Sequence, residues 1–220
     1  MTQKAALLHL QEDSVTFLAR LGIDQGTLRR AVESGARVYL KATSFHPRTH
    51  GGVTAWGETV GILRQELSPF GWKPSDKNGL PVTANGELGI SIVVTSGDKE
   101  TGIETGTPSS NNDKGSATKR FVNSNYDMFE DDQFSVFSSG PIDFHETWVL
   151  LYHYDKLAKE VRYELSLPMN LSSSGYFDSW KRRYIFPSIS LDEDVIINPN
   201  NPNNPTEFND DIDFDISKKA

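Results

Sequence analysis

The sequence predicts an α+β domain in which N-terminal helices pack on one face of a largely antiparallel sheet. Three observations carry that expectation. Apolar residues recur at helical spacing through the first third of the chain, an Asn-Gly pair joins two β-rich runs near residue 85, and residues 161–167 alternate strictly between apolar and polar. The helical stretch precedes the strands, an order that favours helices segregated to one side of a sheet over a βαβ array.

Taken in order, residues 5–21 place Leu7, Leu8, Leu10, Val15, Phe17, Leu18 and Leu21 on one helical stripe, with Gly22 as a stop. Asp24 is a candidate N-cap for a second helix over residues 27–42. Its apolar face holds Leu28, Val32, Ala36, Tyr39 and Leu40, opposite Arg29, Arg30, Glu33 and Arg37. Ser44-Phe45-His46-Pro47 ends it. A third helix over residues 54–67 presents Trp56, Val60, Leu63 and Leu67 and stops at Pro69 and Gly71. The Asn85-Gly86 pair then predicts a tight hairpin with positive φ at both central residues, between strands over 81–84 and 87–95. A second hairpin is expected from residues 147–154 and 161–167, ending before Pro168. There Val161, Tyr163, Leu165 and Leu167 share one face, and Arg162, Glu164 and Ser166 share a face expected to meet water. Residues 183–186, after a link over 175–180, supply a further strand, for about five in all.

Residues 1–191 are read as a single domain, and residues 192–220 differ in kind. The run from Asn198 to Pro205 is an asparagine- and proline-rich spacer that neither pairs as a strand nor continues a helix. Beyond it, Asp210, Asp211, Asp213 and Asp215 alternate with Ile212, Phe214 and Ile216. This tail is expected to be disordered alone, either solubilising the chain or docking as an edge strand or into a basic-rimmed groove.

Charge is concentrated in the tail. The formal net charge is -8, of which residues 192–220 hold -6, so the body of the chain is nearly neutral. The first 64 residues carry eight bases against five acids, a mild bias well short of a nucleic-acid footprint. Cysteine is absent, which excludes disulfides and thiolate chemistry and fits a reducing compartment. No apolar run approaches the roughly 20 residues of a membrane span, and the N-terminus does not read as a signal peptide. The cytoplasm is the expected location.

Candidate sites lie in two polar segments. His46-Pro47-Arg48-Thr49-His50-Gly51-Gly52 brings two imidazoles and a guanidinium to the start of a helix, a composition suited to a phosphate or carboxylate, although an ordinary interhelix loop has the same make-up. The second is a glycine-, serine- and threonine-rich loop from Gly97 to Thr118. Loops of that length are usually functional or disordered. Asp98 and Glu100 stand near its start and Lys114 near its end, a loose match to a metal-dependent hydrolase in which acids hold Mg²⁺ or Mn²⁺ and lysine steadies the phosphate. No nuclease-type Glu-x-Lys triplet, P-loop or Gly-x-Ser-x-Gly elbow accompanies them. His145, next to Glu146, and His153 flank the Trp148 strand without an evident catalytic role. Trp148, Tyr152, Tyr154, Tyr163, Trp180 and Tyr184 beside Lys181-Arg182-Arg183 suit single-stranded nucleic acid, but equally the filling of a sheet.

Ala42-Thr43-Ser44-Phe45-His46-Pro47, Trp56 with Leu63-Arg64-Gln65-Glu66-Leu67, Gly71-Trp72, the run from Thr95 to Gly102 and the run from Val161 to Pro168 together resemble a family of bacterial hypothetical proteins to which no activity is attached. The resemblance spans about residues 42–187. It implies a bacterial, cytosolic, single-domain protein and carries over no catalytic residue. The leading expectation is a non-enzymatic binding or accessory module with a protein partner and no cofactor. The alternative is a metal-dependent hydrolase of a nucleotide or nucleic acid. His46, Arg48, His50, Asp98, Glu100 and Lys114 are the candidate ligand or partner contacts.

Overall fold

Helical periodicity in the first third of the chain produces three helices stacked on one face of a mixed sheet. The computed structural model describes residues 14–76, 79–130 and 146–191; the tail expected over 192–220 lies outside the described residues. Helix α1 is described over residues 14–20, α2 spans Gln25–Tyr39 and α3 spans His50–Leu67. Helix α3 starts four residues earlier than its apolar stripe suggests, because Thr49 and His50 already take helical backbone angles. A one-turn 3₁₀ segment, Ser68–Phe70, closes it against Gly71, whose φ of 82° is the left-handed conformation glycine tolerates.

Seven strands follow: β1 (Lys73–Ser75), β2 (Val82–Asn85), β3 (Ile90–Ser96), β4 (Glu146–Asp155), β5 (Glu160–Leu171), β6 (Phe177–Ile185) and β7 (Ile189–Ser190). They lie in the order β1-β2-β3-β4-β5-β6, with β7 on the free length of β5. Every pairing is antiparallel except β3 with β4, which runs parallel from Ile90↔Glu146 to Ser96↔Tyr152. The α+β architecture is as the sequence predicts, with N-terminal helices on a mostly antiparallel sheet.

Several local expectations are corrected. The turn after Asn85 is four residues long, and only Gly89 in it has positive φ (64°). Asn85 Oδ1 accepts the N–H groups of Glu87 and Leu88, so an Asx turn replaces the two-residue one. Strand β5 runs through Pro168 to Leu171, accommodating it by register shifts against β6. Strand β6 begins at Phe177, inside the expected link. The largest omission is helix α4, Ser116–Glu130, which makes β3-α4-β4 a parallel crossover.

That crossover gives the sheet two covered faces. On one, Phe17, Leu18, Leu28, Val32, Leu63 and Leu67 of the helices meet Ile92, Trp148, Leu150, Tyr163, Leu165 and Tyr184 in the main apolar core. On the other, a smaller cluster joins Val122 of α4 to Val93, Val149, Leu151 and Phe177. Buried Asn125 fixes α4 there: its amide nitrogen donates to the carbonyls of Thr147 and Pro168, and its oxygen accepts the Thr147 N–H at 2.9 Å. The outer strands are short or charged. Strand β1 is Lys73-Pro74-Ser75, and β6 exposes Asp178, Lys181 and Arg182.

Candidate functional site

Beside α4, the second face is closed by a loop rather than by a helix. Arg162, Glu164 and Ser166 do share a face of β5, as their alternation predicts, but Glu164 and Ser166 are completely buried, so that face is not wet. Residues 97–115 lie across it as a strap. Glu164 forms an ion pair with Arg183, whose Nε sits 2.9 Å from Glu164 Oε1. Ser166 Oγ donates to the same oxygen at 2.7 Å, and the Gly102 N–H donates to Oε2 at 2.9 Å. The guanidinium also donates to the carbonyls of Gly106 (2.6 Å) and Ile103 (3.1 Å). A buried charge needs such partners, and here they are the backbone of the strap.

Further bonds fix the length of the strap. Gly97 N–H donates to the Tyr152 carbonyl and His153 Nδ1 to the Gly97 carbonyl. Trp180 Nε1 donates to the Pro108 carbonyl and Ser109 Oγ to that of Phe177. Gly102, at φ 73°, packs so closely on Arg162 that a Cβ would stand 2.8 Å from the arginine Cβ. The exposed Gly/Ser/Thr loop expected over 97–118 is therefore corrected. It ends at α4, and its polar composition serves backbone bonding to the sheet.

Where the strap meets α4 there is a small cleft. Strand β2 begins opposite Val93, which leaves the edge of Val94, Thr95 and Ser96 uncovered by it. Trp56 Nε1 donates to the Val94 carbonyl, and the Asn111 N–H to that of Ser96. Buried Lys114 reaches Thr95 Oγ1 with Nζ at 2.9 Å. Trp56, Leu80, Pro81, Lys114, Phe121 and Phe177 line a space of about 40 Å³. A water needs roughly 10–15 Å³ by this measure, so the cleft has room for a few.

A third locale is the rim of the sheet at the C-terminal ends of β3 and β4. The α2–α3 connection carries His46, whose Nδ1 accepts the Thr43 N–H at 3.0 Å and whose ring stacks on His50 at 4.1 Å between centroids. Gly51 lies against Tyr39 and Ala42. Tyr39 in turn stacks on Tyr154 at 4.5 Å and receives the Lys156 ammonium over its ring. Two apolar side chains stand out into solvent here: Phe45 at 96% exposure, and Leu157, in the β4–β5 turn, at 99%. Lys41 and Arg48, near Phe45 in the chain, and Lys156 and Lys159, near Leu157, are also exposed. Asp155, at the start of the turn, has its pKa held below the ordinary carboxylate value, chiefly by the Ala158 N–H and also by Arg162 and the Leu157 N–H.

The six sequence-predicted residues thus fall in three places. His46, Arg48 and His50 stand together on the rim, on the helical side of the sheet. Asp98 and Glu100 belong to the strap, where Asp98 Oδ1 accepts the Glu100 N–H in another Asx turn. Lys114 faces the cleft. Among the described residues no three His, Cys, Asp or Glu side chains come together as a metal ion would require. The predicted aromatic stacking surface is largely interior: Trp148, Tyr152, Tyr163 and Tyr184 are buried, and Trp180 is half-covered with its N–H on the strap. Sequence reasoning missed Glu164, Arg183 and Leu157. The first two were marked only by charge within an otherwise apolar strand environment, and Leu157 by a lone apolar residue between lysines.

Comparison with family models, with curated proteins and with solved structures gives no match. The bacterial resemblance rests on the sequence segments alone. Among the described residues no helix is long and apolar enough to cross a membrane.

Proposed function

We propose that this chain is a non-enzymatic binding module that engages a protein partner through the rim formed by the α2–α3 connection and the β4–β5 turn, as an accessory component of a bacterial cytosolic system. The observations that carry this reading are the full exposure of Phe45 and of Leu157, each with exposed cations close to it in the chain, and the His46–His50 stack next to Phe45. Aromatic and aliphatic anchors ringed by polar groups are what interface centres use. The surrounding charge selects an acidic partner and speeds its encounter. The strap adds rigidity to the support, because its bonds to Tyr152 and His153 fix the strand that carries the rim.

The test is affinity purification of the full-length chain from its host, side by side with a Phe45→Ser/Leu157→Ser variant. A protein recovered in near-stoichiometric amount with the unaltered chain, and reduced at least tenfold with the variant, is the expected result. Equal recovery by both chains would remove the rim as the contact surface. The variant should fold normally, since neither side chain is buried.

A further inference from the structure

Two tyrosines far apart in the chain meet where the last residue of α2 lies against the end of β4. The rings of Tyr39 and Tyr154 stack with their centroids 4.5 Å apart and their planes 8° from parallel. The arrangement is held on several sides. A Cβ at Gly35, one turn before Tyr39 on α2, would stand 3.3 Å from the Tyr154 hydroxyl oxygen, and one at Gly51 would stand 3.2 to 3.3 Å from the Cδ2 and Cε2 edge of Tyr39. The Lys156 ammonium lies over the Tyr39 ring, 5.7 Å from its centroid. Both tyrosines are nonetheless partly exposed to solvent.

We propose that Tyr39 and Tyr154 form an oxidative cross-linking site, at which a one-electron oxidant joins the two rings as dityrosine and so staples α2 to β4. Each phenol gives up one electron and one proton, leaving a phenoxyl radical whose unpaired spin is shared with the ring carbons ortho to the oxygen. Two such carbons join, the hydrogens they carried pass to the oxygens, and both rings become aromatic again. The balance is one carbon–carbon bond formed, two ring carbon–hydrogen bonds lost, two protons released to water and two electrons passed to the oxidant. Coupling joins carbon p orbitals, which stand perpendicular to each ring, so parallel stacked rings present them face to face. The fold has already brought the two reactants together, and the step needs no diffusional encounter.

The rest of the chain favours oxidation at this pair. Thiolates are the usual first target of oxidants, and cysteine is absent. Of the seven tyrosines, Tyr152, Tyr163 and Tyr184 are buried. Tyr152 also touches Tyr154, but with centroids 5.3 Å apart and planes at 58°, a tilt that turns the p orbitals away from one another. A bond between residues 39 and 154 closes a long loop of chain, which restricts the unfolded state. It also fixes the end of α2 against the strand that leads into the β4–β5 turn, and so locks that turn relative to the α2–α3 connection. The chemistry is independent of whether those two loops bind a partner.

Photo-oxidation of the full-length chain tests this. At micromolar protein, brief illumination with tris(bipyridine)ruthenium(II) and persulfate supplies the one-electron oxidant, each persulfate taking up two electrons to end as two sulfates. The expected product is a monomer lighter by two hydrogen atoms, with dityrosine fluorescence and a cross-linked peptide that contains both Tyr39 and Tyr154. Tyr39→Phe and Tyr154→Phe keep the ring, and with it the stack, but remove the phenol; each should lower the dityrosine of the monomer at least tenfold. The same treatment in concentrated urea, where the stack is dissolved, should lower it as far. The peptide map decides the matter even where a variant folds poorly. Dityrosine unchanged in either folded variant, a yield in urea equal to that of the folded chain, or oxygen added at tryptophan and methionine with no link between Tyr39 and Tyr154 would each overturn the proposal.

Discussion

The two faces of the sheet are closed by opposite chemistry. The helical face is sealed by side chains: the rings of Phe17, Trp148 and Tyr184 pack on one another at 4.6 to 5.6 Å between centroids, and Leu28, Leu63, Leu150 and Leu165 are fully buried in the same core. The strap face is sealed largely by backbone, whose carbonyls and amides converge on one glutamate and one arginine. Apolar closure is graded, because removing one side chain leaves the others in contact. Ionic closure is concentrated, because the loss of either partner leaves a buried charge and several orphaned bonds.

The difference predicts how each face fails. Glu164→Ala leaves the partly buried Arg183 without its carboxylate and frees the Gly102 N–H, and by the usual cost of breaking a buried pair it should destabilise the fold by about 3 kcal/mol. Leu150→Ala on the helical face should cost about 2–5 kcal/mol through its cavity. Chemical denaturation will give similar totals, but hydrogen exchange should separate them. The Gly102 and Gly106 amides should lose protection in Glu164→Ala before the sheet does, whereas Leu150→Ala should lower protection throughout. Loss of protection spread evenly in both variants would dissolve the distinction.

The dryness of the helical face can be read from pH. Burial raises the Tyr163 phenol from its ordinary value near 10 to about 12. A raised acid favours the folded state fully below pH 10, and the contribution disappears as pH climbs through about 12. The two-unit difference corresponds to roughly 2–3 kcal/mol. Stability should therefore fall between pH 10 and 12, and Tyr163→Phe should flatten that fall. An identical alkaline profile in the variant would place the loss elsewhere. Smaller still, Gly102→Ala combines positive φ with contact on Arg162 and should cost about 1–2 kcal/mol; a neutral result in thermal melts would mean that the strap is looser than its bonds imply.

Periodicity made much of this fold legible. Helices α2 and α3, strand β3 and the alternation of β5 follow from apolar spacing alone, since burial selects one face of each element. What the sequence hid was burial by something other than an apolar partner. Arg162, Glu164 and Ser166 look like a solvated face because nothing local marks that Arg183, nineteen residues beyond Glu164, will neutralise it. Helix α4 escaped notice because its amphipathic face serves only a small cluster and its anchor, Asn125, is polar. Of the six candidate residues, His46 and His50 stack on each other, as neighbours on one short connection can. The sequence could not show that Asp98 and Glu100 sit in a bonded turn, or that Lys114 points inward to Thr95, because those positions depend on contacts across the sheet.

The margins of the sheet bear on how the molecule behaves in a crowd. At one margin Lys73-Pro74-Ser75 is only three residues long and lacks an amide hydrogen at Pro74; at the other, Asp178, Lys181 and Arg182 stand in solvent. Unpaired strand edges invite neighbours to extend the sheet, and proline, brevity and charge are the usual deterrents. With both margins so defended, concentrated solutions of this protein should resist edge-to-edge polymerisation, and association with other molecules is left to surfaces away from the hydrogen-bonding edges.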